Sequence, residues 1–316
     1  MIAILAVLLA ASGGEGPLGE PGAQLELDRD PVLGESTGGE QEKGEVEPSD
    51  LTLLTFFSEG WTEDWVKRSR KGRAPDMALL RVTTNFLERE FRLDYVYTNN
   101  VRNNKKVENS QLLNGLIAYG LNRRLMIEVI SNYQWNEPPE NSTATKANGA
   151  GAAALVRFAL ADTYDQAYGL QVRVSAPNRG IGQTTTTTSP SLAGFQDLQT
   201  LLGLDQVGLY ESITYDSASG PHAAGARTQD VSYALSVAKS WTDRAVYPVG
   251  LFTTFLELFA TTDLNGTTKY HTAVTLTPGV RFWFAHENSL TVGADFPVSE
   301  PHPFSNVFRV TYILNF

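Results

Sequence analysis

The sequence predicts an all-β fold: a closed antiparallel transmembrane β-barrel of about 12 strands, preceded by a disordered acidic N-terminal linker. Three observations predict it. From Leu87 onward, large apolar residues recur at every second position in segment after segment. The connections between those segments alternate between long and short, as they do where outer loops are long and inner turns are tight. The chain's last segment, NVFRVTYILNF, alternates to its final residue, Phe316. A greasy edge strand at a soluble chain's end is an aggregation hazard, whereas a strand that closes a barrel in lipid is safe.

Taken in order, EFRLDYVYT places Phe91, Leu93, Tyr95 and Tyr97 on one face, with Arg92, Asp94 and Thr98 on the other. LLNGLIAYGL, a tight NRR turn and LMIEVISNYQW read as the next two strands. ALVRFAL sets Val156, Phe158 and Leu160 against Arg157, and YGLQVRVSA sets Leu170, Val172 and Val174 against Gln171 and Arg173. LQTLLGL and VGLYESITY read as a hairpin, although Glu211 shares parity with Leu209 and Ile213, which suggests a bulge or a register change. VSYALSVAKSW, VGLFTTFLELFA, TAVTLTPGVRFWF, SLTVGADFPV and NVFRVTYILNF complete the series. The segments have the length a tilted strand needs to cross a bilayer. The longest connection is expected to be APNRGIGQTTTTTSPSLAGFQD.

A soluble β-sandwich also alternates. Against it, the apolar face is aromatic in nearly every strand, and the opposite face carries isolated charges rather than a dense solvated coat. Tyr95, Tyr97, Trp135, Tyr168, Trp241 and Trp283 fall near strand ends, where aromatic girdles belong, although Trp283 has inward parity.

The chain has 316 residues and no cysteine, so it holds neither a disulfide nor a thiolate metal site. The net charge of -10 is concentrated between residues 13 and 50, which contain 11 Asp or Glu against 2 Lys or Arg. No basic stripe occurs, and nucleic acid is not an expected partner. Residues 1–12, MIAILAVLLAAS, fit a signal peptide without the usual basic start. Residues 13–50 lack the apolar content to fold and are expected to be a disordered linker. Residues 51–86, with the segment FFSEGWTEDWVKRSRKGRAPD, are expected to form a periplasmic or plug segment, and residues 87–316 the barrel.

If the apolar face meets lipid, nine charges face the lumen: Arg92, Asp94, Glu128, Arg157, Arg173, Glu257, Arg281, Asp295 and Arg309. Two readings fit them, a bracing ladder of ion pairs and a selectivity lining, and the two are compatible. Catalytic signals are poor. Barrel lipases set His and Ser two apart on a strand, and none of His222, His271, His286 and His302 has a Ser in that place. No two His stand at metal-ligand spacing, so no metal, cofactor or catalytic residue is expected. GAGAA at Gly149 precedes a strand rather than a helix and is not a dinucleotide loop.

The strand TPGVRF (Thr277–Phe282), the GLYES hairpin at Gly208 and the closing NVFRVTYILNF together resemble the meta-pathway phenol degradation family of bacterial outer-membrane, transporter-like β-barrels. The resemblance covers residues 80–316 and implies a channel or transporter for a small, aromatic or hydrophobic solute in the outer membrane. The expected partners are outer-membrane lipids, the solute and the barrel assembly machinery. A structural or adhesion barrel working through its loops is the alternative, followed by a lipid-acting enzyme. By the same resemblance, Phe308, Val310, Tyr312, Leu314 and Phe316 form the signal that the assembly machinery reads. Phe316→Asp, or deletion of Phe316, is therefore expected to cut assembled barrel sharply with synthesis intact. The check is heat-modifiable gel mobility, and normal mobility in the variant refutes it.

Overall fold

The computed structural model describes residues 48–316 except 69–72, 76, 78, 103–106, 141–142, 144–145, 223, 242–248, 285–287 and 301. The expected signal peptide and nearly all of the expected linker lie outside the described residues. So does His286.

Twelve strands form one closed antiparallel barrel in which each pairs with its sequence neighbours. They are β1 (Glu90–Asn99), β2 (Asn109–Gly120), β3 (Leu125–Glu137), β4 (Ala147–Asp162), β5 (Gln166–Ser175) and β6 (Thr186–Asp197). The second half comprises β7 (Val207–Ser219), β8 (Gln229–Ser240), β9 (Val249–Asp263), β10 (Thr272–Phe284), β11 (Asn288–Pro297) and β12 (Asn306–Asn315). Closure is made by β1 and β12, paired without interruption from Glu90↔Asn315 to Asn99↔Asn306. Burial alternates as the sequence requires. Phe91, Leu93, Ile117, Val129, Leu256, Phe308 and Tyr312 are exposed on the outside, while Glu128, Arg157, Glu257, Arg281 and Asp295 are buried inside. Trp283 keeps its inward parity and is buried.

The strand count agrees with the sequence, but one strand lies elsewhere. LQTLLGL is not a strand: Leu198–Leu202 form a short helix, α1. Asp197 caps it by accepting from the Gln199 N–H at 2.8 Å, and Gly203 ends it at φ 67°. A side-chain acceptor before the run and a left-handed residue after it are the two signals of a helix, and they outweigh the apolar run between them. The strand in question is β6, inside the segment expected to be the longest loop. Of its outward positions only Leu192 is large and apolar, the others being Thr186, Thr188, Pro190, Gly194 and Gln196, so no apolar stripe marks it. Pro190 also interrupts its ladder with β7 between Thr188 and Ser191. β4 likewise begins seven residues before ALVRFAL, at Ala147, because Ala and Gly alternate there without an apolar signal.

The suspected irregularity at Glu211 is absent. β7 and β8 pair continuously from Val207↔Lys239 to Ser217↔Gln229. Tyr210 and Ser212 therefore face inward, and Glu211 stays on the outer face. Gly194 of β6 lies between Glu211 and Tyr168, where a Cβ would collide with the tyrosine ring.

Residues 48–68 pack on the rim that carries the tight turns. Leu51 exchanges backbone hydrogen bonds with Asp162 at 2.9 and 2.8 Å, and Asp64 bridges to Asn122. Arg124 of the β2–β3 turn is completely buried. It donates to the carbonyls of Glu59 (2.9 Å), Ala159 and Leu160 (3.0 Å each) and Thr52 (3.2 Å), and to Thr55 Oγ1 (3.1 Å). Its neighbour Arg123 donates to Glu63 at 2.5 Å. That bond first, and the Gly60 N–H second, hold the Glu63 carboxyl below its usual range. A depressed folded pKa means that the clamp is at full strength above the ordinary glutamate value and weakens as pH falls through the lower, folded one. Arg124→Ala is expected to weaken the packing of residues 48–68 by about 3 kcal/mol, since hydrogen bonds to charged groups are worth about 1.5–3 kcal/mol each. Limited proteolysis checks this: cleavage within 51–66 should rise while the barrel stays heat-modifiable.

Candidate functional site: the lumen and the segment inside it

From Arg73 the described chain lies inside the barrel. Arg73 meets Asp165 at 3.3 Å and Asp197 at 3.8 Å, and the Ala74 N–H donates to Asp197 at 2.5 Å. Tyr210 then donates to the Pro75 carbonyl at 2.9 Å. The segment rises along the inner wall to Arg81 and returns to the turn rim, where Trp65 donates to the Leu87 carbonyl at 2.8 Å. Its apolar residues Met77, Leu79, Val82 and Phe86 share one buried cluster with Phe195, Tyr210, Ala234 and Phe255 of the wall. The glycines at 279 and 293 make room: the Phe255 ring covers Gly279, Leu80 covers Gly293, and a side chain at either place would collide with its cover.

At the top of this loop, charges take over from packing. Arg81 donates to Asp295 at 2.7 Å and lies 3.7 Å from the Phe259 ring centroid. Asp295 is fully buried and also accepts from Arg309 at 2.9 Å and from Thr277 at 2.8 Å. Glu257, equally buried, accepts from the backbone N–H groups of Arg81 and Val82 at 3.2 and 3.3 Å. The Thr83 N–H donates to Ser212 at 3.3 Å, and Asn85 donates to the Ala167 carbonyl at 2.5 Å.

All nine sequence-derived lumen charges lie on the inner face, and four of them, Arg92, Arg157, Glu257 and Asp295, bond directly to the inserted loop. Arg92 pairs with Asp94 at 2.7 Å and also donates to the Leu79 carbonyl at 3.3 Å. Thr311 donates to Asp94 at 2.7 Å. Arg157 donates to Phe86 O at 2.6 Å and to Gln171 at 2.9 Å, with Glu128 at 3.8 Å. Arg281 donates to Thr291 at 2.6 Å, away from the loop tip. Arg173 alone of the nine has no salt bridge or hydrogen bond among the described residues, and its Nε is a buried donor without a partner.

Three features escape sequence reasoning. Among the described residues of the segment, Arg81 is the cation that reaches Asp295, and no periodicity singles it out. The inward aromatic wall of Phe195, Tyr210 and Phe255 is legible only once β6 is placed. At the long-loop end, Arg227 meets Asp263 at 2.7 Å and Asp230 at 3.5 Å, and Ser189 donates to Asp216. Their aspartates sit at strand ends that read as loops.

Of the cavities beside these groups, two are roomy. One, of about 240 Å³, lies between the loop and the β1–β5 wall. The other, of about 440 Å³, opens at the long-loop end among Asp216, Arg227, Asp230 and Thr261. Phe308, Val310, Tyr312 and Leu314 are exposed on the outer face, and Phe316 is 59% exposed beyond them. Among the described residues no group of three or more His, Asp or Glu is placed to hold a metal. His222, His271 and His302 lie in long-loop connections, His302 at 3.0 Å from Glu300.

No family model matches the chain. No curated protein matches it either. Solved structures are similar to it. The COG4313 outer membrane channel from Pseudomonas putida F1 is 13% identical with a TM-score of 0.51, over 76% of this chain and 100% of that one. The KdgM porin is 9% identical with a TM-score of 0.47, over 72% and 99%. The NanC porin is 10% identical with a TM-score of 0.46, over 72% and 100%. At such identities the likeness concerns fold alone: the chain shares a closed β-barrel architecture with the COG4313 channel.

Asp295→Ala leaves two partly buried arginines without the fully buried carboxylate they share, a loss of about 3–5 kcal/mol for a broken buried pair. Arg81→Ala is expected to cost less, because Arg309 still neutralises Asp295. Both changes lower the temperature at which the purified barrel loses its heat-modifiable mobility, Asp295→Ala by more. The reverse order overturns the assignment of Asp295 as the shared anchor.

Proposed function

We propose that this chain is an outer-membrane channel for a small solute, and that residues 73–88 act as a plug within its lumen. The observation that carries the reading is the way the inserted loop is held. Its tip is fastened by one carboxylate, Asp295, and by a second, Glu257, that grips two backbone N–H groups. Cavities lined by charged and polar side chains lie beside and beyond it. A barrel of twelve strands falls between those whose interiors are filled by side chains and those that leave a wide channel, so a narrow path beside a plug is the physical expectation. Interleaved opposite charges along the wall favour a lumen that stays wet beside the plug.

The resemblance of TPGVRF, GLYES and the closing strand to the meta-pathway phenol degradation family supports a solute that is aromatic or otherwise hydrophobic. The apolar half of the smaller cavity, with Leu116, Ile130 and Leu155, suits such a body. Export, assembly through the closing strand and residence in the bacterial outer membrane belong to the same reading.

Planar-bilayer conductance tests it. The intact chain is expected to give a small but resolved conductance. Replacing residues 74–86 by a short Gly-Ser linker should raise it several-fold. A chain silent in the bilayer, with no swelling of solute-loaded liposomes, refutes the channel and leaves the loop-bearing scaffold.

A further inference from the structure

The smaller cavity has a composition that selects a ligand. One side is apolar: Leu79, Leu80 and Val82 from the inserted loop face Leu116, Ile130 and Leu155 from the wall. The other side is charged, and its charges are almost all spent. Arg92 is paired with Asp94 at 2.7 Å, Arg157 with Glu128 at 3.8 Å and Arg309 with Asp295 at 2.9 Å. Arg173 is left over. Among the described residues it has no acidic partner, and its Nε–H is buried with no acceptor. A buried guanidinium donor without a partner is expensive, and such groups are ordinarily satisfied by a ligand, an ion or water. The remaining acid of the lining, Glu90, stands on β1, four strands from Arg173 on β5. It repels an anion from its own end of the cavity and leaves the Arg173 end as the place for one.

We infer that this cavity is a solute subsite for a small amphiphile with one anionic head. The head is a carboxylate accepted by Arg173, and the hydrocarbon body lies against Leu116, Ile130, Leu155 and the inserted loop. The planar guanidinium offers two parallel donors, which match the two oxygens of a carboxylate better than they match a hydroxyl. A volume of about 240 Å³ is below the range of drug-sized pockets and limits the body to a single ring or a short chain. The inference rests on the channel reading for its role in transport. The subsite itself is a binding property, and it can be measured without any conductance.

The test is calorimetric titration of the full chain in nanodiscs with benzoate, benzyl alcohol and benzylamine, followed by the same titrations of Arg173→Gln and Arg173→Lys. Benzoate is expected to bind the unmodified chain at least about tenfold more tightly than benzyl alcohol, with benzylamine weaker still, since a charged hydrogen bond is worth that factor or more. Arg173→Gln should remove the preference, bringing benzoate to the level of benzyl alcohol. Arg173→Lys should keep only part of it, since the charge remains and the paired donors do not. Equal affinity for benzoate and benzyl alcohol in the unmodified chain overturns the inference. So does an unchanged benzoate affinity in Arg173→Gln. Binding that follows this pattern in a chain that conducts nothing would uphold the subsite and sink the channel, so the two failures are distinguishable.

Discussion

Within hydrocarbon, a backbone N–H or C=O without a partner costs several kcal/mol, and no water is present to supply one. That constraint organises this chain. It explains why the first and last strands must meet along their whole length, from Glu90↔Asn315 to Asn99↔Asn306. Once the ring is closed, each strand has two faces and two solvents. Side-chain parity then decides everything from Phe91 outside to Asp295 inside.

The lumen obeys a second version of the same rule. Charges taken out of bulk water must find partners, and the barrel wall alone does not pair them all. Asp295 binds Arg309 of the wall and Arg81 of the inserted loop. Glu257 would be a buried carboxylate facing Phe255 and Phe259 were it not for the amides of Arg81 and Val82. The loop is thus a set of counter-charges and donors as much as an obstruction. The wall and the loop complete each other's hydrogen bonding, which ties the order of residues 73–88 to the protonation and packing of strands distant in sequence.

How much of this could be read in advance follows from what each residue contacts. Eleven strands were legible, because one face meeting lipid forces large apolar residues into every second place, as in β1 and β12. β6 was not, since its outer face carries a single large apolar residue, Leu192, among Thr, Pro, Gly and Gln, and its ladder is broken at Pro190. LQTLLGL attracted the assignment instead because it is greasy, although Asp197 and Gly203 mark it as a capped helix. The nine inward charges were legible from parity, but their partners were not. Arg81 and Asp295 are joined across most of the chain, and nothing local announces such a meeting. Nor does the unsatisfied state of Arg173 have a sequence signature, since it arises from which neighbours are already engaged.

The five-residue helix α1 carries one more implication. Leu201, Leu202 and Leu204 are 58, 64 and 44% exposed at the level of the tight turns. Leucines in that situation are stable when they sink into the boundary between headgroups and acyl chains, where each gains up to roughly 1.5–3 kcal/mol by leaving water. The gain is lost if that side of the cylinder rides out of the bilayer or dips further in. A greasy foot at one point of the rim thus sets how deep the barrel floats and restrains its tilt, an orientation that a plain ring of tight turns would leave to the thickness of the membrane alone.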